Sequence, residues 1–134
     1  MNTGPLFVDE FPRLGRGPTL SKVHWAYDGQ VLRAVDYDAN DEDDKRLRHV
    51  FFIGMQAVMI TPEEVIGNTV FDSLWMENPH AAILCLGKSS WPQTFNQYHL
   101  NKCSHFQILF YDELFDVICE EIDVRAGSYL PHSE

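Results

Sequence analysis

Four side chains in the C-terminal half of the chain are of types that bind zinc. His99, Cys103 and His105 follow one another closely, and Cys119 lies further along the chain. Thiolate and imidazole groups are the usual ligands of tetrahedral zinc. The hairpin predicted for this region, however, places Cys119 on an apolar face and His105 on the opposite face. We therefore predict no metal site, but a buried neutral thiol and a cross-strand polar pair of His105 with Glu120.

An acidic stretch imitates the start of a calcium-binding loop. Residues 36–42 (DYDANDE) carry oxygen-bearing side chains at alternate positions, as an EF-hand loop does. The sixth position is Asp41, where the loop needs glycine, and the twelfth is Leu47, where it needs glutamate. We expect a solvated acidic turn, or a docking patch for a basic partner, instead of a calcium site.

No nucleophile motif stands out in the chain. Ser89 and Ser90 follow Gly87 without forming the GxSxG pattern, and neither a Walker nor a dinucleotide-binding motif is present. Histidines and carboxylates could form an acid–base site in space, but sequence spacing does not show which of them meet. We predict a protein that is not an enzyme and has no cofactor. The alternative is a small enzyme or ligand-binding domain with a pocket in the β-structure.

The acidity of the chain limits the classes of partner that it can bind. Twenty Asp and Glu residues stand against ten Lys and Arg residues, a formal net charge of −10. Six of the acids lie in residues 36–44 and six more in residues 112–123. Such a protein repels nucleic acid and anionic membranes, and it attracts basic partners at long range.

Size and cysteine content predict one globular domain over residues 1–134 in a reducing compartment. The three cysteines Cys85, Cys103 and Cys119 are an odd number without a CxxC motif, so we expect free thiols. The first residues show no signal-peptide pattern, and no apolar run approaches membrane-spanning length. These features favour a cytoplasmic protein that does not bind membranes.

The alternation of apolar and polar residues, together with the turn residues, predicts an α+β fold. This fold is β-rich, with a mainly antiparallel sheet and one or two short helices. A first hairpin pairs residues 23–27 with 30–37 around Asp28-Gly29, which sets Trp25 opposite Leu32. Residues 50–60 form one central strand with a bend at Gly54. Thr61-Pro62 begins a helix, residues 81–86 form a buried strand, and residues 88–102 form a loop.

A terminal hairpin joins strands 105–111 and 114–124 at Asp112-Glu113. A two-residue turn there makes one continuous apolar face, on which three residues of the first strand oppose three of the second. These are Phe106, Ile108 and Phe110, set against Cys119, Val117 and Phe115. The other face sets His105, Gln107, Leu109 and Tyr111 against Glu120, Ile118, Asp116 and Leu114.

The sequence of this hairpin, HFQILFYDELFDVICE over residues 105–120, resembles a strand–Asp–strand ending found in small bacterial immunity proteins of contact-dependent and polymorphic toxin systems. The resemblance covers about 20 of the 134 residues. It implies a cytoplasmic inhibitor that binds one cognate toxin, possibly a nuclease, and covers its active site. The acidity of the chain points independently to a basic protein partner.

The predicted partner-binding residues are the two acidic clusters and two aromatic anchors. Acidic side chains would occupy a basic cleft, while buried aromatic anchors supply most of the affinity in such interfaces. The residues are Asp36, Asp38, Asp41, Glu42, Asp43, Asp44, Asp112, Glu113, Asp116, Glu120, Trp91 and Tyr98.

Overall fold

The structure, a computed structural model, describes residues 3–13, 18–28, 31–38, 47–62, 78, 80–95, 98–110 and 112–126. These residues are mainly β-strand, with the four-residue helix α1 at Ser90–Gln93 and a 3₁₀ helix at Tyr98–Lys102. The strands are β1 Gly4–Leu6, β2 Thr19–Asp28, β3 Val31–Asp38, β4 Leu47–Ile53, β5 Ala57–Pro62, β6 Ile83–Gly87, β7 Ser104–Leu109, β8 Glu113–Cys119 and β9 Glu121–Ala126.

The strands form two antiparallel sheets. The five-stranded sheet has the order β1-β6-β7-β8-β5, and the four-stranded sheet has the order β2-β3-β4-β9. Every neighbouring pair is antiparallel. The predicted antiparallel, β-rich architecture is therefore confirmed for the described residues, although the strands divide between two sheets instead of one.

Two of the places where the chain crosses between the two sheets lie side by side at one corner. One crossing is Gly54–Gln56, between β4 and β5, and the other is Glu120, between β8 and β9. Two backbone hydrogen bonds join the crossings: the Glu120 amide donates to the Ile53 carbonyl at 2.9 Å, and the Gln56 amide donates to the Ile118 carbonyl at 2.8 Å. The single strands predicted over residues 50–60 and 114–124 are therefore wrong, because each is two strands in different sheets. The predicted bend at Gly54 is confirmed, and its φ of 66° lies in the region that favours glycine.

The terminal hairpin differs from the prediction by two residues in register. Phe106 lies opposite Val117, Gln107 opposite Asp116, and Leu109 opposite Leu114. A two-residue shift leaves every side chain on its predicted face, because the side-chain period of a strand is two. The five residues predicted to share a buried face are all buried, namely Phe106, Ile108, Phe110, Phe115 and Val117. The predicted pairing of His105 with Glu120 is wrong, since His105 lies opposite Ile118.

The first hairpin is antiparallel as predicted, but its turn is displaced. Asp28 pairs with Val31, so Tyr27 and not Trp25 lies opposite Leu32. Two register shifts interrupt the β2–β3 pairing, one between Leu20 and Lys22 and one between Val23 and Ala26. The register error begins at the turn end of the hairpin, because Asp28 pairs within β2 where the prediction placed it in the turn; the two register shifts lie farther along the strands.

The remaining predicted elements are partly corrected. Thr61 and Pro62 do not begin a helix but end β5, opposite Leu114 and Glu113. The rest of that predicted helix lies outside the described residues. The buried strand predicted at residues 81–86 is confirmed as β6, whereas the loop predicted over residues 88–102 contains α1 and the 3₁₀ helix.

One hydrophobic core joins the two sheets, and a smaller cluster covers the other face of the five-stranded sheet. The core includes Val50, Phe52 and Ile122 from the four-stranded sheet, packed with side chains of β6, β7 and β8. The smaller cluster contains Leu100, Cys103 and Ile118, with Ala57 and Trp91 packed against it. Across the described ranges, no helix has the length and apolar character needed to cross a membrane.

Candidate functional site

Three polar side chains lie fully buried on the face of the five-stranded sheet that points away from the main core. His105 and Gln107 are two residues apart on β7, so both side chains project from the same face. Asp116 on β8 lies directly opposite Gln107, and His105 is its diagonal neighbour. Each of the three residues has 0% of its surface exposed. Buried groups of this kind need hydrogen-bond partners, because an unpaired one costs about 1–3 kcal/mol.

Asp116 is the acceptor at the centre of this group. Its Oδ1 accepts hydrogen bonds from His105 Nε2 at 2.6 Å and from Gln107 Nε2 at 2.9 Å. Its Oδ2, like Gln107 Oε1, has no hydrogen-bond partner among the described residues. The Gln107 amide thus orients the carboxylate toward His105, and one carboxylate oxygen stays without a donor.

Ser89 contacts the opposite side of the His105 imidazole. It belongs to the segment that follows β6. Gly87, the last residue of β6, has a φ of 64° and pairs with His105 across a register shift. Two residues later, Ser89 occupies the N-cap position of α1 but makes no side-chain capping bond. Its Oγ lies 2.6 Å from His105 Nδ1. The hydroxyl therefore interacts with the histidine instead of the first helical turn.

The two hydrogen-bond partners of the His105 ring favour one tautomer of the imidazole. An ionised carboxylate only accepts hydrogen bonds, so His105 Nε2 carries the proton that it donates to Asp116. In the neutral ring, Nδ1 then has a free lone pair, which accepts the hydroxyl proton of Ser89. We call this chain of hydrogen bonds, Ser89–His105–Asp116, the polar relay. Its order of serine, imidazole and carboxylate is the order that activates a nucleophile.

The segment over residues 88–102 covers the polar relay. The Trp91 ring meets the His105 ring edge-on, with the centroids 5.1 Å apart, and Trp91 itself is half-buried. The exposed Lys88 ammonium donates to the backbone carbonyls of Asn101 and Cys103, and so links the two ends of this segment. Ser89 is partly exposed, so the relay runs from the edge of the surface to a fully buried carboxylate.

The structure does not bring the predicted acidic residues of the last hairpin together. Asp116 is fully buried in the polar relay, so its prediction as a surface residue for a partner is corrected. Asp112 is exposed and Glu113 half-buried at one end of β8, whereas Glu120 follows its other end. Six strand residues separate Glu113 from Glu120, and the seven steps between them span roughly 23 Å of extended chain. The cluster seen in the sequence is therefore two separate surfaces.

The two surfaces differ in their electrostatics. Glu120 lies 3.7 Å from the Lys102 ammonium, so it already has a cation nearby. At the other end, burial raises the pKa of Glu113, the negative charge of Asp112 raises it further, and a backbone hydrogen bond to Asp112 lowers it. Within the described ranges no ion pair is formed by Asp112 or Glu113. We call these two residues the acidic turn.

The other predicted partner-binding residues are only partly described. Asp36 and Asp38 lie in β3, and Tyr98 lies in the 3₁₀ helix. The side chains of these three residues are outside the described part of the structure, as are all of residues 41–44. Trp91 is half-buried and packs against His105 and the smaller hydrophobic cluster.

The potential zinc ligands of the sequence lie on different faces of the sheet. Cys119 belongs to the main core, and its thiol donates to the Glu121 carbonyl at 3.4 Å. Cys103 lies in the smaller cluster, and both ring nitrogens of His105 are engaged in the polar relay. In the described part of the chain, no group of three His, Cys, Asp or Glu side chains is arranged to hold a metal.

Sequence reasoning missed the polar relay, although one signal was present. Apart from their first residues, Ser104 and Glu113, strands β7 and β8 are interrupted by only three polar residues, His105, Gln107 and Asp116, at positions that share one face. Polar residues within buried strands indicate a hydrogen-bonded network. The participation of Ser89 had no comparable signal, because it comes from a separate segment.

Comparison with protein-family models, with curated proteins and with solved structures gave no match in any of the three.

Proposed function

We propose that this protein is a cytoplasmic immunity protein, which binds a basic toxin domain and covers its active site. The observation that carries the proposal is the formal net charge of −10 on 134 residues. A charge of this size opposes nucleic-acid and anionic membrane partners and accelerates association with cationic proteins. The resemblance of residues 105–120 to immunity proteins supports the same function.

The acidic turn is the part of the described surface that best fits a basic partner. The pKa of Glu113 is raised by burial and by the charge of the adjacent Asp112, so its ionisation is less favourable in the folded protein than in water. An arriving Lys or Arg side chain would favour the ionised form and relieve this repulsion. Glu120, by contrast, would have to exchange its contact with Lys102 for a new one.

The partner is to be identified first by affinity capture from the source cells and mass spectrometry. Co-expression then tests inhibition: the captured protein alone should arrest growth, and this protein should restore it. A captured partner whose toxicity is unchanged by co-expression would contradict the proposal.

The docking surface is tested by a matched pair of double variants, each removing two negative charges. D112N/E113Q removes the acidic turn, and E120Q/E121Q removes the same charge from the other end of β8. We expect the first variant to slow association at low salt by about tenfold, because electrostatic steering depends on charge near the docking site. The second should slow it far less. Equal effects would show that only the net charge matters.

The acidic run at residues 41–44 is tested in the same assay. D41N/E42Q/D43N/D44N should slow association with little change in the thermal midpoint, because exposed charges contribute only about 0–1 kcal/mol per pair. If neither this variant nor D112N/E113Q changes the association rate at low salt, the acidity serves solubility alone and the proposal loses its physical support.

A further inference from the structure

The geometry points to Ser89 as an activated nucleophile, whose hydroxyl, deprotonated by His105, takes the acyl group of an ester. The inference does not depend on the proposed inhibitor function. Ser89 and the start of β7 lie at one end of the hairpin, and the acidic turn lies at the other. The experiments on the two sites therefore fail or succeed separately.

Three hydrogen bonds support this chemistry, two within the polar relay and one from Gln107. Ser89 Oγ lies 2.6 Å from His105 Nδ1, which is within reach for proton transfer. His105 Nε2 lies 2.6 Å from Asp116 Oδ1, which holds the proton on Nε2 and leaves Nδ1 basic. Gln107 donates to the same oxygen at 2.9 Å and holds the carboxylate in place. A base oriented by a third group is the arrangement that activates a serine.

Burial distinguishes this arrangement from a surface hydrogen bond. His105 and Asp116 are fully buried and Trp91 packs on the imidazole, so water competes little for the relay. Electrostatic interactions are stronger in such an environment than in water. Ser89 alone is partly exposed, and it is the residue that must meet a substrate.

The proposed step balances within the site. Ser89 Oγ bonds to the carbonyl carbon of the ester while its proton passes to His105 Nδ1. The tetrahedral intermediate then breaks its bond to the alcohol oxygen, and the departing alcohol takes the proton from Nδ1. The products are the free alcohol and an acyl group bound to Ser89. In this step Ser89 and His105 are the catalytic residues, while Asp116 is a positioning residue.

A fluorophosphonate probe tests the nucleophile directly. Attack by Ser89 forms an oxygen–phosphorus bond and expels fluoride, while His105 accepts the hydroxyl proton. Intact mass and peptide mapping should find one adduct, located on Ser89. The S89A variant should lose the adduct completely, and S90A, the matched control at the adjacent exposed serine, should keep it. An unmodified Ser89, or equal labelling of Ser89 and Ser90, would overturn the inference.

A second pair of variants tests the activation itself, independently of the probe. S89C places a thiol beside His105, and S90C places one at the adjacent exposed position. We expect iodoacetamide at neutral pH to alkylate S89C at least about tenfold faster than S90C, because a neighbouring imidazole promotes the thiolate. Adding D116N to S89C should remove that advantage. A purely structural hydrogen bond predicts no advantage, and that result would also overturn the inference.

Discussion

At the scale of single residues, Asp116 is the acceptor at the centre of the buried polar group. Its carboxylate is fully buried, and two of the buried polar side chains on its sheet face donate to it. Removing one partner of a buried charged network costs more than the interaction itself contributes, because the remaining group is left without compensation. Such a network therefore constrains which substitutions the sheet can tolerate.

We predict that D116A lowers the free energy of unfolding by about 2–6 kcal/mol, because it leaves two buried donors, His105 Nε2 and Gln107 Nε2, without their acceptor at about 1–3 kcal/mol each. The measurement is urea denaturation followed by circular dichroism. The control is D112A, which removes an exposed aspartate on the adjoining turn and should change stability by less than about 0.5 kcal/mol. Similar losses in the two variants would show that the network contributes little.

The raised pKa of Glu113 predicts that the free energy of unfolding depends on pH. The direction of the pKa shift gives the sign of that dependence. Burial and the charge of Asp112 raise its pKa in the folded protein. The folded state therefore binds this proton more tightly than the unfolded state does. The resulting stabilisation is complete below the unfolded pKa of about 4.3 and is lost as pH rises through the folded pKa.

We expect E113Q to gain stability relative to the wild type between pH 4 and pH 7, because glutamine does not ionise. Denaturation curves at the two pH values give the comparison. D112N should produce part of the same gain, since it removes the second cause of the shift. A difference between E113Q and wild type that does not change with pH would contradict this account.

At the scale of elements, the corner formed by Gly54 and Glu120 determines how the two sheets are joined. Gly54 has a φ of 66°, and a Cβ atom added there would lie 2.3 Å from Glu120 Oε2. The backbone hydrogen bonds of Glu120 and Gln56 hold the two crossings side by side. The backbone conformation therefore requires glycine, whereas the contact with Glu120 can be relieved by movement of that flexible side chain.

We predict that G54A destabilises the protein by about 1–2 kcal/mol, the usual cost of a left-handed conformation for a residue with a Cβ atom. The double variant G54A/E120A separates the two causes, because it removes the side chain that the new methyl group would meet. We expect most of the loss to remain in the double variant, since the Glu120 side chain can move away. Full recovery of stability would instead assign the loss to the steric contact.

At the scale of the whole molecule, the reactivity of the three thiols reports on the main hydrophobic core and on the smaller cluster. Cys85 and Cys119 lie in the core between the sheets, and Cys103 lies in the smaller cluster. All three are free and buried. Burial raises the pKa of Cys103, with a further increase from the charge of Glu120, and it raises the pKa of Cys119 strongly.

We expect Ellman's reagent at pH 8 to label none of the thiols in the native protein within minutes, and all three in denaturant without reductant. Only the thiolate reacts. Burial restricts access of the reagent to all three thiols, and it also raises the pKa of Cys103 and Cys119. Labelling measured across a denaturant series should follow global unfolding by circular dichroism. A count of one thiol in denaturant would reveal a disulfide and contradict the expectation of free cysteines.

The sequence by itself determined the antiparallel β-architecture and the buried face of the terminal hairpin. Alternation with a period of two marked Phe106, Ile108 and Phe115 as core residues, and all are buried. That inference survived a register error of two residues, because such a shift moves no side chain to the other face. Local sequence patterns are sufficient for features, such as the buried face of a strand, that depend only on the chemistry of neighbouring residues.

Tertiary structure alone decided where the chain changes sheets and which polar groups meet. Residues 50–60 and 114–124 each look like one strand, because a crossing at Gly54 or Glu120 leaves the apolar pattern on both sides almost unchanged. The polar relay joins Ser89, His105 and Asp116 from three separate segments. Their meeting depends on the β7–β8 register and on the course of the chain after β6. These are set by packing between distant residues, which local sequence patterns do not encode.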